Sequence, residues 1–137
     1  MCLRAPGERD VDTISIAGTD NAPRVEFDYN ANTFTLAGMS FMEDVSGFYE
    51  PLMQPFREHM EGLSGAAVQF EFALSYFNSS SARVVFQLFE LLDQAAGNGN
   101  QVAIRWCHDD DDDMVEQGEE FGEDLEHASF TVVDPDT

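Results

Sequence analysis

The sequence contains no lysine, and six arginines supply all of its permanently cationic side chains. Against them stand 27 aspartates and glutamates, which give a formal net charge of −21. A field of this sign repels nucleic acid and anionic membrane surfaces, and no basic patch is present to override it. Without lysine, the chain cannot form a Schiff base with a substrate. Abundant carboxylates without lysine also fit a halophilic proteome, because high salt screens their mutual repulsion.

Cysteine and histidine are scarce as well. The two cysteines, Cys2 and Cys107, make neither a CxxC motif nor a disulfide framework. The three histidines stand apart, without HxH or HExxH spacing. The nucleophile elbow GxSxG, the Walker loop and the GxGxxG fingerprint are also missing. The sequence therefore predicts no resident metal, no cofactor and no catalytic activity of its own.

Long apolar runs are absent too. No stretch is long enough to span a bilayer, and no basic-plus-apolar signal segment opens the chain. We therefore expect a cytoplasmic protein. With 137 residues, 43% of them hydrophobic, the chain suits one compact domain. Residues 1–12 show no periodicity and are predicted to be a disordered lead-in to a single domain over residues 13–137.

The period of the hydrophobic pattern changes back and forth between two residues and 3.6 residues along that domain. Period-two alternation predicts strands at about residues 13–16, 25–29, 33–36, 68–74, 101–106 and 130–132. Helical spacing predicts helices at about residues 44–61, 82–96 and 110–124. Pro51 and Pro55 are expected to kink the first helix or to confine its regular hydrogen bonding to the second half.

Alternation within every predicted strand determines the fold class that we expect. Strands buried on both faces would be continuously apolar, so this sheet should have helices on one face and a polar second face. The strand–helix–strand units require crossover connections, which make part of the sheet parallel. We therefore predict an α/β fold, a two-layer sandwich with a mixed β-sheet and helices on one face.

A segment rich in Ser and Asn runs from Ser75 to Ser81, between the predicted strand that ends at Leu74 and the predicted helix that begins at Ala82. Asn and Ser are preferred helix N-caps, because their side-chain oxygens accept hydrogen bonds from the first free N–H groups. The same free amides and the helix dipole make a site for an anion such as phosphate. One cap needs one such residue, whereas Asn78 and the three serines after it present four. Capping and phosphorylation are therefore both hypotheses for this segment.

The acidic run at Asp109–Asp113 partly matches a calcium loop. Asp109, Asp111, Asp113 and Glu120 fall at positions 1, 3, 5 and 12 of an EF-hand loop. Position 6, which requires Gly, is Met114, and an acidic run that opens a helix also complements the helix dipole. An acidic calcium-binding module remains an alternative interpretation.

Short motifs along nearly the whole chain, from about Gly18 to Val133, resemble the SiaC family of bacterial regulatory phosphoproteins. The matching pieces are Gly18-Thr19 with Pro23 and Val25, Gly38-Met39-Ser40 followed by Glu43-Asp44, Phe48-Tyr49-Glu50-Pro51, Tyr76-Phe77-Asn78-Ser79-Ser80-Ser81 with Arg83, Trp106 before the acidic run, and Gly118-Glu119-Glu120-Phe121 with Glu123-Asp124-Leu125. Each piece is short, and it is their order and spacing that carry the resemblance.

The resemblance implies a phosphorylation site. In the family, the residue after the Asn of the Tyr-Phe-Asn motif is a phosphorylated threonine, and here that place holds Ser79. The change keeps the hydroxyl group and removes one methyl group. Ser80 and Ser81 are the weaker candidates. Asn78 and Arg83 lie close enough along the chain to contact a phosphate on Ser79.

The resemblance also implies partners. A cognate kinase phosphorylates the motif, a PP2C-like phosphatase reverses the reaction, and the unmodified protein activates a diguanylate cyclase, so that cyclic di-GMP controls biofilm formation and aggregation. The implied fold is similar to that of anti-sigma-factor antagonists (STAS-like domains). An anti-sigma-factor antagonist that acts on another target is therefore the alternative within this class. The polar stripe that includes Arg83, Gln87 and Glu90 on the predicted second helix is a candidate partner surface.

Overall fold

The computed structural model describes residues 13–108 and 112–133. The elements in this part of the chain are β1 (Thr13–Ile16), β2 (Arg24–Asp28), β3 (Thr33–Ser40), α1 (Val45–Gly62), β4 (Ala67–Phe77), α2 (Ser79–Gly97), β5 (Gln101–Cys107), α3 (Asp112–Gly122) and β6 (Ser129–Val133). The predicted lead-in at residues 1–12 lies outside the described residues. So do Asp109 and Asp111 of the candidate calcium loop.

One sheet contains all six of these strands, in chain order from β1 to β6. β1, β2 and β3 are antiparallel neighbours, whereas β3, β4, β5 and β6 are parallel neighbours. Each helix connects two adjacent parallel strands, so right-handed crossovers place α1, α2 and α3 on the same face of the sheet. The predicted α/β sandwich with a mixed sheet is confirmed.

The two faces of the sheet differ as the alternation predicts. The helix-covered face holds buried side chains that include Phe27, Phe34, Phe70, Phe72 and Trp106. The open face carries small and polar residues with ion pairs among them. In one of these pairs, Arg105 Nε lies 3.5 Å from Glu71 Oε1. Burial of large aromatic side chains on one face contributes about 1.5–3 kcal/mol each to the stability of the fold.

The first helix is continuous from Val45 to Gly62. Of the two effects expected of Pro51 and Pro55, confinement of regular hydrogen bonding to the second half is therefore wrong, and a kink at the prolines stays a prediction. Both prolines are exposed, so water can bind the carbonyl groups that lack an amide partner. Asp44 begins the helix by accepting a hydrogen bond from Gly47 N–H at 2.9 Å.

Two predicted boundaries around the polar segment are also wrong. β4 continues past Leu74 to Phe77, and α2 begins at Ser79, three residues before the predicted start at Ala82. Pairing with β3 keeps the backbone extended through polar Ser75, and a good N-cap allows serines in the first helical turn. The linker between the two elements is therefore the single residue Asn78.

Candidate functional site

A β-bulge in β4 shapes the end of the sheet that precedes α2. Leu74 pairs with Gly38 of β3, and Tyr76 pairs with the next residue, Met39, so that Ser75 is the extra residue. Gly38 has φ of 107°, a backbone angle that favours glycine. The Ser75 hydroxyl donates to the carbonyl oxygen of Gly38 at 3.3 Å.

The bulge reverses which side chains enter the core. Beyond it, Phe77 and Ser40 are paired and both are buried, whereas Tyr76 and Met39 are exposed. Without the extra residue, strict alternation would send Tyr76 into the core with Leu74 and Phe72. The bulge therefore puts Phe77 in the core and leaves Tyr76 at the surface, next to the start of α2.

Asn78 caps α2 and is one of the four capping candidates that the sequence presents. Its side-chain oxygen accepts from Ser81 N–H at 2.9 Å, and its carbonyl oxygen accepts from Ala82 N–H at 2.9 Å. Its own N–H donates to the carbonyl oxygen of Ser40 at 3.0 Å. These three bonds fix the start of the helix against the end of β3. Because the side-chain oxygen of Asn78 is engaged in the cap, only the nitrogen of its amide is left to contact a phosphate.

The three serines after Asn78 lie in two different environments. Ser79 and Ser80 are exposed in the first turn of α2, whereas Ser81 is completely buried. The N–H groups of Ser79 and Ser80 have no intrahelical acceptor, because they belong to the first turn. The positive end of the helix dipole adds to the field at this position. An exposed hydroxyl thus lies beside backbone amides that favour an anion.

A chain of three buried hydroxyl groups holds Ser81 in place. Ser40 Oγ donates to Ser81 Oγ at 2.7 Å, and the Tyr49 hydroxyl lies 2.7 Å from Ser40 Oγ. Since Ser40 donates to Ser81, the phenol of Tyr49 donates to Ser40. Burial raises the pKa of Tyr49 to about 12, and the hydrogen bond with Ser40 only partly opposes this rise. The phenol therefore keeps its proton, and the chain connects α1, β3 and α2.

The sequence analysis did not assign Ser40 or Tyr49 to a chain of buried hydroxyl groups. One signal was available, because Phe34, Leu36 and Ser40 all have even numbers in a strand whose even positions face the core. A serine that continues such a row requires a polar partner in the interior. Of the two partners of Ser40, Ser81 lies 41 residues away in the sequence, and no local pattern indicates it.

The predicted partner stripe lies on the outer surface of α2. Arg83, Gln87 and Glu90 are all exposed, and the described part of the chain provides no ion pair for Arg83. Phe86, which the sequence analysis assigned to the apolar side of the helix, is 40% exposed. It lies beside a groove that Phe121 of α3 also lines.

Three exposed apolar side chains lie at the ends of β3 and β4, next to the start of α2. We call Met39, Phe41 and Tyr76 the strand-end patch, and they are 36%, 39% and 49% exposed. The rings of Phe41 and Tyr76 meet edge to face, with their centroids 5.5 Å apart. Phe41 is the residue after Ser40, whose carbonyl oxygen binds Asn78 N–H. The patch therefore adjoins the capped serines.

Metal-binding and membrane-spanning features are missing from residues 13–108 and 112–133. No group of three or more His, Cys, Asp or Glu side chains there could hold a metal ion. Of the four candidate calcium ligands, only Asp113 and Glu120 fall in these ranges. No helix in them is long and apolar enough to cross a bilayer.

Comparison with known proteins gives consistent matches. The family model for the SiaC family of regulatory phosphoproteins matches residues 16–134. An uncharacterised protein of Pseudomonas aeruginosa is 27% identical over 112 residues, which are 81% of this chain and 88% of that protein.

Two solved structures have the same fold. The crystal structure of apo-SiaC from Pseudomonas aeruginosa superposes with a TM-score of 0.79 at 24% identity, over 88% of this chain and 97% of that one. A chain in the crystal structure of the Pseudomonas aeruginosa diguanylate cyclase SiaD in complex with its activator SiaC gives a TM-score of 0.79 at 23% identity, over 88% of this chain and 99% of that one.

Proposed function

Because the chain belongs to the SiaC family of regulatory phosphoproteins, we propose that it is the switch component of a partner-switching module. In its unmodified form it binds and activates a diguanylate cyclase in the cytoplasm, which raises cyclic di-GMP and promotes biofilm formation. A cognate kinase phosphorylates Ser79 and thereby ends the interaction, and a PP2C-like phosphatase restores it. The role of SiaC as activator of SiaD in the structurally similar complex supports this assignment.

The environment of Ser79 is the observation that carries the proposal. Its hydroxyl is exposed at the first residue of α2, immediately after the capping residue Asn78. Ser81, by contrast, is buried and bonded to Ser40, so a kinase would have to unfold the helix start to reach it. Of the three serines, Ser79 is the one that corresponds to the family's phosphothreonine, and Ser80 is the accessible alternative.

The effect of the phosphate is local in this proposal. A phosphate adds about −1.5 to −2 charges at neutral pH. Against a net charge of −21, this changes the field of the whole protein by less than about a tenth, and salt screens it within about 8 Å. Next to Ser79, however, the phosphate can bind the free amides of the first turn and the guanidinium of Arg83, one turn further along α2. It then adds charge to a surface that the partner must cover, which also includes Gln87 and Glu90.

Phosphopeptide mapping tests the acceptor. After incubation with the cognate kinase and ATP, we expect one phosphate on Ser79 in the wild-type protein and none in Ser79→Ala. The control Ser80→Ala should still be phosphorylated on Ser79. A phosphate on Ser80 or Ser81 alone would contradict the assignment of the residue.

Cyclase activity tests the output of the module. Unmodified wild-type protein should stimulate synthesis of cyclic di-GMP by the cyclase, and the phosphorylated protein should not. Ser79→Glu should imitate the phosphate only in part, because a carboxylate has less charge and fewer acceptor oxygens. If the phosphorylated site is real but the cyclase does not respond to either form, the target is a different protein, such as an anti-sigma factor.

A further inference from the structure

We propose that the strand-end patch of Met39, Phe41 and Tyr76 is the centre of the surface that the diguanylate cyclase covers, with Ser79 at its edge. The proposal rests on the function proposed above and specifies where the partner binds. It differs from the expectation that the polar stripe on α2 dominates the contact.

The first argument is the way in which the patch is built. Tyr76 reaches the surface because of the bulge at Ser75, which lies beside Gly38, a glycine of the paired strand with φ of 107°. Exposing an aromatic ring to water gives up about 1.5–3 kcal/mol of possible burial. The bulge puts Phe77 in the core in exchange, so the fold loses no aromatic burial, and the ring left for a partner to cover is that of Tyr76.

The second argument is chemical contrast. In a chain with 27 acidic residues, the patch has no charged side chain, and two of its three members are aromatic. Aromatic residues and methionine are enriched at the centres of protein interfaces, where they are surrounded by polar groups. Phe86, the other large apolar side chain exposed within the described ranges, lies apart from this group on α2.

The area of the patch and the charge of the chain indicate which occupant fits. The three side chains together expose about 250 Å², judged from the area of a typical aromatic side chain. A stable interface buries about 800 Å² per partner, so the patch is the centre of a larger contact and not a complete interface. A second copy of this chain would bring another −21 charges and be repelled. A different protein with an apolar surface is therefore the better occupant, and the cyclase is the partner that the proposed function supplies.

The position of Ser79 explains how one phosphate could control such a contact. Tyr76 precedes Ser79 by three residues, and Phe41 is held beside Asn78 through the backbone bond from Asn78 to Ser40. A partner that extends from the patch across the Asn78 linker would also cover the first turn of α2. Burial of a phosphate dianion there is strongly unfavourable, because the single positive charge of Arg83 does not balance a phosphate charge of about −1.5 to −2, so modification and binding oppose each other.

A pair of matched variants tests the proposal. Phe41 is 39% exposed and Phe86 is 40% exposed, so Phe41→Ala and Phe86→Ala remove the same group at the same exposure from two places. By titration calorimetry with the purified cyclase, we expect Phe41→Ala to weaken binding at least tenfold. Phe86→Ala should stay within threefold of the wild type. Tyr76→Ala provides a second variant in the patch, and urea unfolding of each variant checks that the fold is intact.

The outcomes separate this proposal from the proposed function. If wild-type protein binds the cyclase but Phe41→Ala and Tyr76→Ala bind equally well, the patch is not the contact and only this proposal fails. If Phe86→Ala is the weaker binder, the cyclase covers α2 and the patch proposal is again wrong. If the wild type itself does not bind the cyclase, the proposed function fails, and this proposal fails with it.

Discussion

The chain of buried hydroxyl groups predicts which of two serine substitutions destabilises the protein more. Ser40 is its middle member, because it accepts from Tyr49 and donates to Ser81, each over 2.7 Å. Ser40 and Ser81 are fully buried, so water cannot replace a lost partner. Ser40→Ala removes both bonds and leaves Tyr49 and Ser81 without their partner, whereas Ser81→Ala removes one bond, and Tyr49 and Ser40 can still bond to each other.

The magnitudes follow from the cost of a buried unpaired polar group, which is about 1–3 kcal/mol. Ser81→Ala should therefore lower the free energy of unfolding by about 1–2 kcal/mol, and Ser40→Ala by about 2–4 kcal/mol. The double variant should lose less than the sum of the two single losses, by about 1 kcal/mol, because the bond between the two serines is counted twice in that sum. Ser80→Ala, an exposed change in the same turn, should stay within about 0.5 kcal/mol of the wild type.

Urea unfolding is the appropriate assay. Guanidinium chloride is a salt and would screen the repulsion within a chain of −21 charges as it denatures the protein, which would confuse the two effects. If Ser40→Ala costs no more than Ser81→Ala, or if the two losses are additive, the hydroxyl groups do not act as one connected chain and our reasoning is wrong.

Two other predictions concern α3 and the segment that precedes β6. Gly118→Ala should destabilise the protein by about 2 kcal/mol or more and shift the fluorescence of Trp106, because a Cβ atom at this position would overlap the indole ring; an unchanged urea midpoint would contradict this. Burial by itself raises the pKa of Asp93. The Asp93 carboxylate, however, accepts hydrogen bonds from the backbone N–H groups of residues 126–128, and these bonds outweigh burial and lower its pKa below the ordinary value of 3.8. A lowered pKa in the folded protein means that this stabilisation is complete above the ordinary pKa and is lost as the pH falls through the lowered one. The difference in unfolding free energy between the wild type and Asp93→Asn should therefore be largest at pH 7 and decrease as the pH falls below 3.8, and a difference that does not depend on pH would refute the assignment.

The alternation of polar and apolar residues was sufficient to predict the sheet, its mixed topology and its single covered face. Alternation is a local property, and strands such as the one that contains Phe70 and Phe72 show it clearly. A cap within the run from Asn78 to Ser81 was also predictable, because capping depends on a few consecutive residues, but the choice of Asn78 among the four candidates was not.

The details that distinguish the three serines were not predictable in this way. The end of β4 depends on pairing with β3, and the bulge at Ser75 lies where β4 pairs with Gly38 and Met39 of that different strand. The burial of Ser81 depends on Ser40, which is distant in the sequence. For the same reason, the exposure of Tyr76 could not be inferred from an apolar run that places it close to buried residues.

The most direct test of the central claim is the affinity of the protein for the cyclase before and after phosphorylation of Ser79. We expect the phosphorylated protein to bind at least tenfold more weakly, which corresponds to about 1.4 kcal/mol, while its far-ultraviolet circular dichroism spectrum coincides with that of the unmodified protein. Equal affinities would contradict the claim that Ser79 is the switch. A large change in the spectrum would show that the switch acts by refolding and would contradict the local mechanism.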